Sequence, residues 1–112
     1  MSGVTFLDPG AFRHRVVIEQ RADTSDGLGG SVESWSEWRT IWAHLEPIRA
    51  DLREVAAQTQ ETVSHRIYLR QPLDITSDMR IRKGTRVFAI DTIHDPDESG
   101  RYWLVVARED GR

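Results

Sequence analysis

Four histidines, an acidic loop and a glycine-rich loop are the parts of this chain whose residue types could do chemistry. His14, His44, His65 and His94 could ligate a metal or act as bases, but 30, 21 and 29 residues separate them in turn, and no two form a metal-binding pair on one element. "DPDESG", Asp95 to Gly100, opens like a calcium loop, with oxygen side chains at Asp95, Asp97 and Ser99 and a glycine sixth. The twelfth position, where a bidentate Glu is required, is Val106. "DGLGGS", Asp26 to Ser31, offers backbone N–H groups to an anion, yet it lacks both the G-x-G-x-x-G spacing and the Lys that a P-loop needs.

The same holds for nucleophilic chemistry. No Ser sits in a nucleophile elbow, and no acidic pair stands out as a general acid and base. The chain has no Cys, which removes disulfides, thiolate ligands and Cys nucleophiles. The expectation is therefore no enzyme, no cofactor and no metal. Each loop is expected to be a turn and each His an ordinary strand residue.

The elements that position these residues are mostly strands. Arg13 to Ala22 is rich in β-branched residues, with Val16 and Ile18 on one face and Val17 and Glu19 on the other. The loop from Asp23 to Gly30 follows, with the turn dipeptides Asp26-Gly27 and Gly29-Gly30. In "SVESWSEWRTIWAHLEP" the residues Val32, Trp35, Trp38, Ile41, Trp42 and Leu45 recur at helical spacing. The Trp, Thr and Ile content, the Pro47 stop and the preceding hairpin loop favour a strand instead. Among its three tryptophans, Trp42 is the expected core ring, and one of the others could be an exposed interface anchor.

Asp51 and Glu54 have capping-box spacing, and Leu52, Val55 and Ala56 form an apolar stripe, which predicts a short helix from Leu52 to Thr59. Val63, His65, Ile67 and Leu69 then alternate with Ser64, Arg66, Tyr68 and Arg70 in a half-buried strand. A short strand around Met79 to Arg82, a turn at Lys83-Gly84, a strand from Arg86 to Ile93 and a last strand in "RYWLVVARE" complete six. The expected fold is mainly β, a small antiparallel barrel or sandwich with one inserted helical segment over 48–61. The whole of 1–112 reads as a single domain, with 1–11 as an N-terminal arm and 12–109 as the barrel.

Composition sets the remaining bounds. With 38% hydrophobic and 29% charged residues the chain is of ordinary globular type. The net charge of −3 disfavours tight nucleic-acid binding, which draws on basic patches. Lys83 stands alone beside fourteen arginines, a usage that suits bidentate contacts at protein interfaces. Neither a signal-peptide pattern nor an apolar run of membrane-spanning length is visible, so a soluble protein of the cytoplasm, without membrane contact, is expected.

Taken in order, the pieces resemble the head-tail joining family of tailed bacteriophages, also called head closure or stopper proteins. "FRHRVVIEQ", Phe12 to Gln20, is similar to the family's opening Leu-Arg-His-Arg strand. "DGLGGSVESW", Asp26 to Trp35, is similar to its Asp-Gly-Gly loop and Trp-bearing strand, and "IWAHLEP", Ile41 to Pro47, to its Trp-Ala-x-Val-x-Pro stretch. "SHRIYLR", Ser64 to Arg70, resembles Thr-His-Arg-Ile-x-Ile-Arg; "DMRI", Asp78 to Ile81, "FAI", Phe88 to Ile90, and "YWLVVARE", Tyr102 to Glu109, resemble the later strands. Where the family has a Gly shortly after the Pro, this chain has Ala50.

The resemblance implies a small β-barrel and a structural protein of the virion, in a phage, a prophage or a gene transfer agent. It implies a ring, expected to be a hexamer, assembled in the bacterial cytoplasm. The ring would lie below the portal and adaptor, close the DNA channel of the filled head, and present a docking surface to a tail terminator or tail tube protein. Double-stranded DNA would pass the lumen without specific binding. Asp26, Gly27, Leu28, Gly29 and Gly30 are expected to contact a neighbouring ring. Arg49, Asp51, Arg53, Glu54 and Gln58 are expected to approach the lumen. The alternative is a stand-alone barrel of the oligonucleotide-binding type, with Arg66, Tyr68 and Arg70 as its basic-aromatic strand.

Overall fold

The computed structural model describes residues 9–25, 27–48 and 63–110. Among these residues a 3-10 turn, Pro9–Ala11, leads into six strands: β1 (His14–Ser25), β2 (Ser31–Pro47), β3 (His65–Arg70), β4 (Arg80–Lys83), β5 (Arg86–His94) and β6 (Tyr102–Asp110). All pairings are antiparallel, and the order β1-β2-β3-β6-β5-β4 closes on itself as a barrel. Closure removes the sheet edges that a small open sheet would expose. The predicted helix at Leu52 to Thr59 lies outside the described residues. Its flanks are joined, because Ile48 N–H donates to the Ser64 carbonyl at 2.9 Å.

Alternation builds the interior. Val16 and Ile18 of β1, Ile67 and Leu69 of β3, Ile81 of β4, Phe88 of β5 and Val105 of β6 are all fully buried. Ala43 and Ala107 sit among them, and Ile75, from the β3–β4 connection, closes the cluster. That connection is tied down where the Trp103 ring N–H donates to the Leu73 carbonyl at 2.9 Å.

The expected strand character of β2 holds, and the helical spacing of its large residues has a local cause. Ile18 pairs with Arg39 but Glu19 pairs with Glu37, so Trp38 has no partner on β1 and forms a β-bulge. The extra residue shifts the inward phase of β2. Leu45 and Ile41 pack on the core on one side of the bulge and Trp38 on the other, three residues from Ile41.

One expectation fails here. Trp42 is 53% exposed and is not the core ring of β2. Its neighbour Ala43 points inward with no exposure, so alternation sends Trp42 outward. Trp38, brought round by the bulge, takes the core contact instead.

Candidate protein-docking surfaces

β1 and β2 are longer than the barrel needs. β4 pairs with β1 only at Val17 to Glu19, and β3 pairs with β2 only at Ala43 to Pro47. The stretches Gln20 to Ser25 and Ser31 to Ser36 pair with each other alone and extend beyond the barrel as a two-stranded arm. Isolated hairpins are marginal, so the arm depends on its root.

The root is polar and layered. On the outer face Glu19, only 7% exposed, accepts hydrogen bonds from Arg80 at 2.6 Å and Arg82 at 2.9 Å. Arg82 also reaches Glu37 at 3.0 Å, and the Arg80 guanidinium lies 4.3 Å from the centre of the Trp35 ring. Burial alone would raise the Glu19 pKa, but the hydrogen bonds and charges of Arg80 and Arg82 outweigh it and hold the carboxyl below its ordinary 4.5. β4 thus clamps both arm strands. Sequence reading missed this clamp, because 61 residues separate Glu19 from Arg80.

At the tip, Gly27, Leu28, Gly29 and Gly30 are exposed, Leu28 by 89%. Gly27 and Gly29 hold φ of 81° and 89°, a region open to glycine at no steric cost. Val32, at 54%, adds a second exposed apolar side chain nearby. Of the predicted contact residues, Asp26, Arg49, Asp51, Arg53, Glu54 and Gln58 lie outside the described residues.

A second surface crosses the outer barrel wall. The Arg15 guanidinium stands 5.5 Å from the Trp42 ring centre, and that of Arg70 stands 4.6 Å from Phe12. Phe12 stacks on Tyr102 at 5.6 Å, so cations and rings alternate across the wall. Trp42 and Arg70 form the ridge between two clefts of about 490 and 380 Å³. The first is lined by Gly10, Phe12 and Arg13, the second by Thr40, Ile41, Gln71, Pro72 and Leu73.

Of the four histidines, His14 and His44 lie near enough on β1 and β2 for the charge of His44 to act on His14. His65 is buried with its ring edge-on to Phe88 at 5.0 Å, and its Nδ1 lies 2.9 Å from Ser64 Oγ. Burial, then the Arg86 charge, lowers its pKa below 6.5 against a smaller opposite pull from Glu109. His44 packs against Tyr68, and its Nδ1 lies 3.2 Å from the Ala11 carbonyl. Among the described residues no three His, Asp or Glu side chains are grouped to hold a metal. The carboxylates of "DPDESG" serve their own turn. Asp95 accepts from Gly100 N–H at 2.9 Å and from the Gln71 amide at 3.0 Å, and Asp97 accepts from the Ser99 N–H and hydroxyl.

Fold and surfaces together define a small closed β-barrel protein with a projecting arm. The chain belongs to the phage head completion protein family, whose profile matches residues 7–110. That membership shows the family anticipated from the sequence and carries a structural, head-related role in the virion. A search of curated protein sequences returned no match. Two solved structures share the fold. Protein SF1141 from Shigella flexneri 2a is 24% identical with a TM-score of 0.72, over 95% of this chain and 99% of that one. A chain of the virion of a native gene transfer agent particle is also 24% identical, with a TM-score of 0.62, over 87% of this chain and 93% of that one.

Proposed function

We propose that this protein forms a ring beneath the portal and adaptor of the filled head, closes the DNA channel, and offers the surface on which the tail docks. The observation that carries the reading is the arm, a structure that the barrel core does not need and that ends in exposed Leu28. Membership in a head completion family supports a place at the opening through which DNA enters. In this reading Gly27 to Gly30, with Asp26, form the docking tip. Arg49, Asp51, Arg53, Glu54 and Gln58 approach the lumen in the same reading. DNA passes a channel to which this acidic chain has little general affinity.

The oligonucleotide-binding alternative loses its best strand. Arg66 lies 3.8 Å from Glu46, and the Tyr68 hydroxyl donates to the same carboxylate at 3.4 Å. One acid thus engages two of the three outward residues of β3.

Electron microscopy of particles made with and without the gene tests the role. The expected result is that particles without it lose DNA or fail to join tails. Filled heads that keep their DNA and still attach tails in its absence would overturn the reading.

A further inference from the structure

The exposed large apolar side chains fall at two separated places, Leu28 and Val32 at the arm tip and Trp42 on the barrel wall. Their surroundings are opposite in charge. Between Gln20 and Glu37 the sequence holds one basic residue, Arg21, against Asp23, Asp26, Glu33 and Glu37. Arg21 is already divided between Asp23 at 3.1 Å and Glu33 at 3.5 Å. On the wall, among the described residues, Arg13, Arg15 and Arg70 have no carboxylate partner and no acid lines either cleft beside Trp42.

We propose that the arm tip of one copy docks through Leu28 on the wall of a second copy at Trp42, between Arg13, Arg15 and Arg70. The proposal rests on the ring reading above and alters it at one point, because the tip there expected to meet a neighbouring ring here meets a second copy of this chain. A copy cannot satisfy its own wall. Tip and wall lie along one continuous strand, and the eleven steps from Ser31 to Trp42 at ~3.3 Å each span roughly 36 Å. Two different patches meet, so the contact is head-to-tail, the kind that generates a ring when its rotation closes. Exposed Trp and Leu supply the buried anchor, while the rim charges orient the approach and speed it.

The chain contains no cysteine, which makes the contact directly readable. Leu28→Cys and Trp42→Cys proteins, prepared separately, are mixed at high concentration and oxidised; the same pair is co-expressed in assembling particles. Both positions are exposed, so neither change removes a core side chain. A disulfide needs Cα atoms within about 7 Å, so only a true tip-to-wall contact yields the mixed product. The expected result is a mixed L28C–W42C dimer in excess of either homodimer, lost when R70E is added to the W42C protein.

Absence of the mixed product in both settings, or a dominant L28C–L28C dimer, would overturn the proposal. So would binding of double-stranded DNA that is lost in R15E/R70E without any mixed disulfide, which would assign the wall to phosphates. Particles lacking the gene would still lose DNA or tails in those cases, so failure of this contact is distinguishable from failure of the connector role.

Discussion

The Arg80 Nε lies 2.6 Å from Oε1 of Glu19, so a side chain of the four-residue strand β4 is bonded to the strand that carries the arm. Arg82 occupies the other oxygen and reaches Glu37 as well, so two guanidiniums share the one Glu19 carboxylate. Glu19→Ala is expected to lower stability by about 2 kcal/mol, the scale of hydrogen bonds to charged groups, and to leave Arg80 and Arg82 facing each other. Because the folded carboxyl titrates below 4.5, its contribution is complete above that pH and fades as pH falls through the lower folded value. Urea titration of wild type and variant at neutral and acidic pH measures both effects.

His65 makes a separate contribution to acid sensitivity. Its folded pKa is below 6.5, held there by burial and by Arg86, so on acidification the unfolded chain takes up the proton first. Above 6.5 both states are neutral and the effect vanishes; below it stability falls until the folded ring also titrates. His14 shifts in the same direction, through burial and the charges of Lys83 and Arg13, and adds to the slope. His65→Leu is expected to flatten the loss of stability between pH 6.5 and the folded pKa. An unchanged slope would show that the ring does not titrate in this way.

Ser64 relays this interaction. The Glu109 N–H donates to Ser64 Oγ at 2.7 Å, and the hydroxyl proton is then available to His65 Nδ1 at 2.9 Å, a chain satisfied by neutral imidazole. Ser64→Ala removes the hydroxyl that engages both the Glu109 N–H and the His65 ring nitrogen, at a cost of about 1–3 kcal/mol. NMR titration of the His65 ring should still place its pKa below 6.5 in this variant, because burial and the Arg86 charge remain.

Phe88 tests the core. It is fully buried and its ring is met edge-on by His65, so Phe88→Ala should cost about 3–5 kcal/mol, enough to bring a domain of this size close to its unfolding midpoint. Calorimetry should show a large drop in Tm.

Gly29 and Gly30 allow the proposed joining role to be tested apart from folding. The φ of 89° at Gly29 and the open space around it mean that a side chain meets no neighbour there but strains the backbone. Replacing Gly29 and Gly30 with Val should cost about 1–2 kcal/mol locally at the tip and leave the barrel folded. Joining of tails to filled heads is expected to fail with this protein, and unimpaired joining would count against the docking role.

Much of the barrel was legible because its signal is local. The alternation at Val16 and Ile18 and at His65, Ile67 and Leu69 reports an inner and an outer face directly. The three tryptophans of β2 were harder to place, because the bulge at Trp38 adds one residue to a period of two and so imitates a helix. Trp42, the ring expected inside, lies outside because the phase fixed by Ala43 turns it outward. The clamp of Glu19 by Arg80 and Arg82 and the wall uniting Arg15, Trp42, Arg70 and Phe12 depend on closure between distant strands, which no spacing within one segment encodes.

The seam that closes the barrel is only three residue pairs long, Val17 to Glu19 against Arg80 to Arg82. It joins segments about sixty residues apart in sequence, so its loop-closure entropy must be met before its few bonds return anything. The seam should therefore form late in folding and open first under native conditions. Amide hydrogens of β4, which pairs with β1 at three positions and with β5 at four, would exchange faster than those of β3, which pairs with β2 at five and with β6 at six. A barrel that zips shut at one short place can open there without unfolding elsewhere, and β1, still paired with β2 along its length, would then swing together with the arm as one lever.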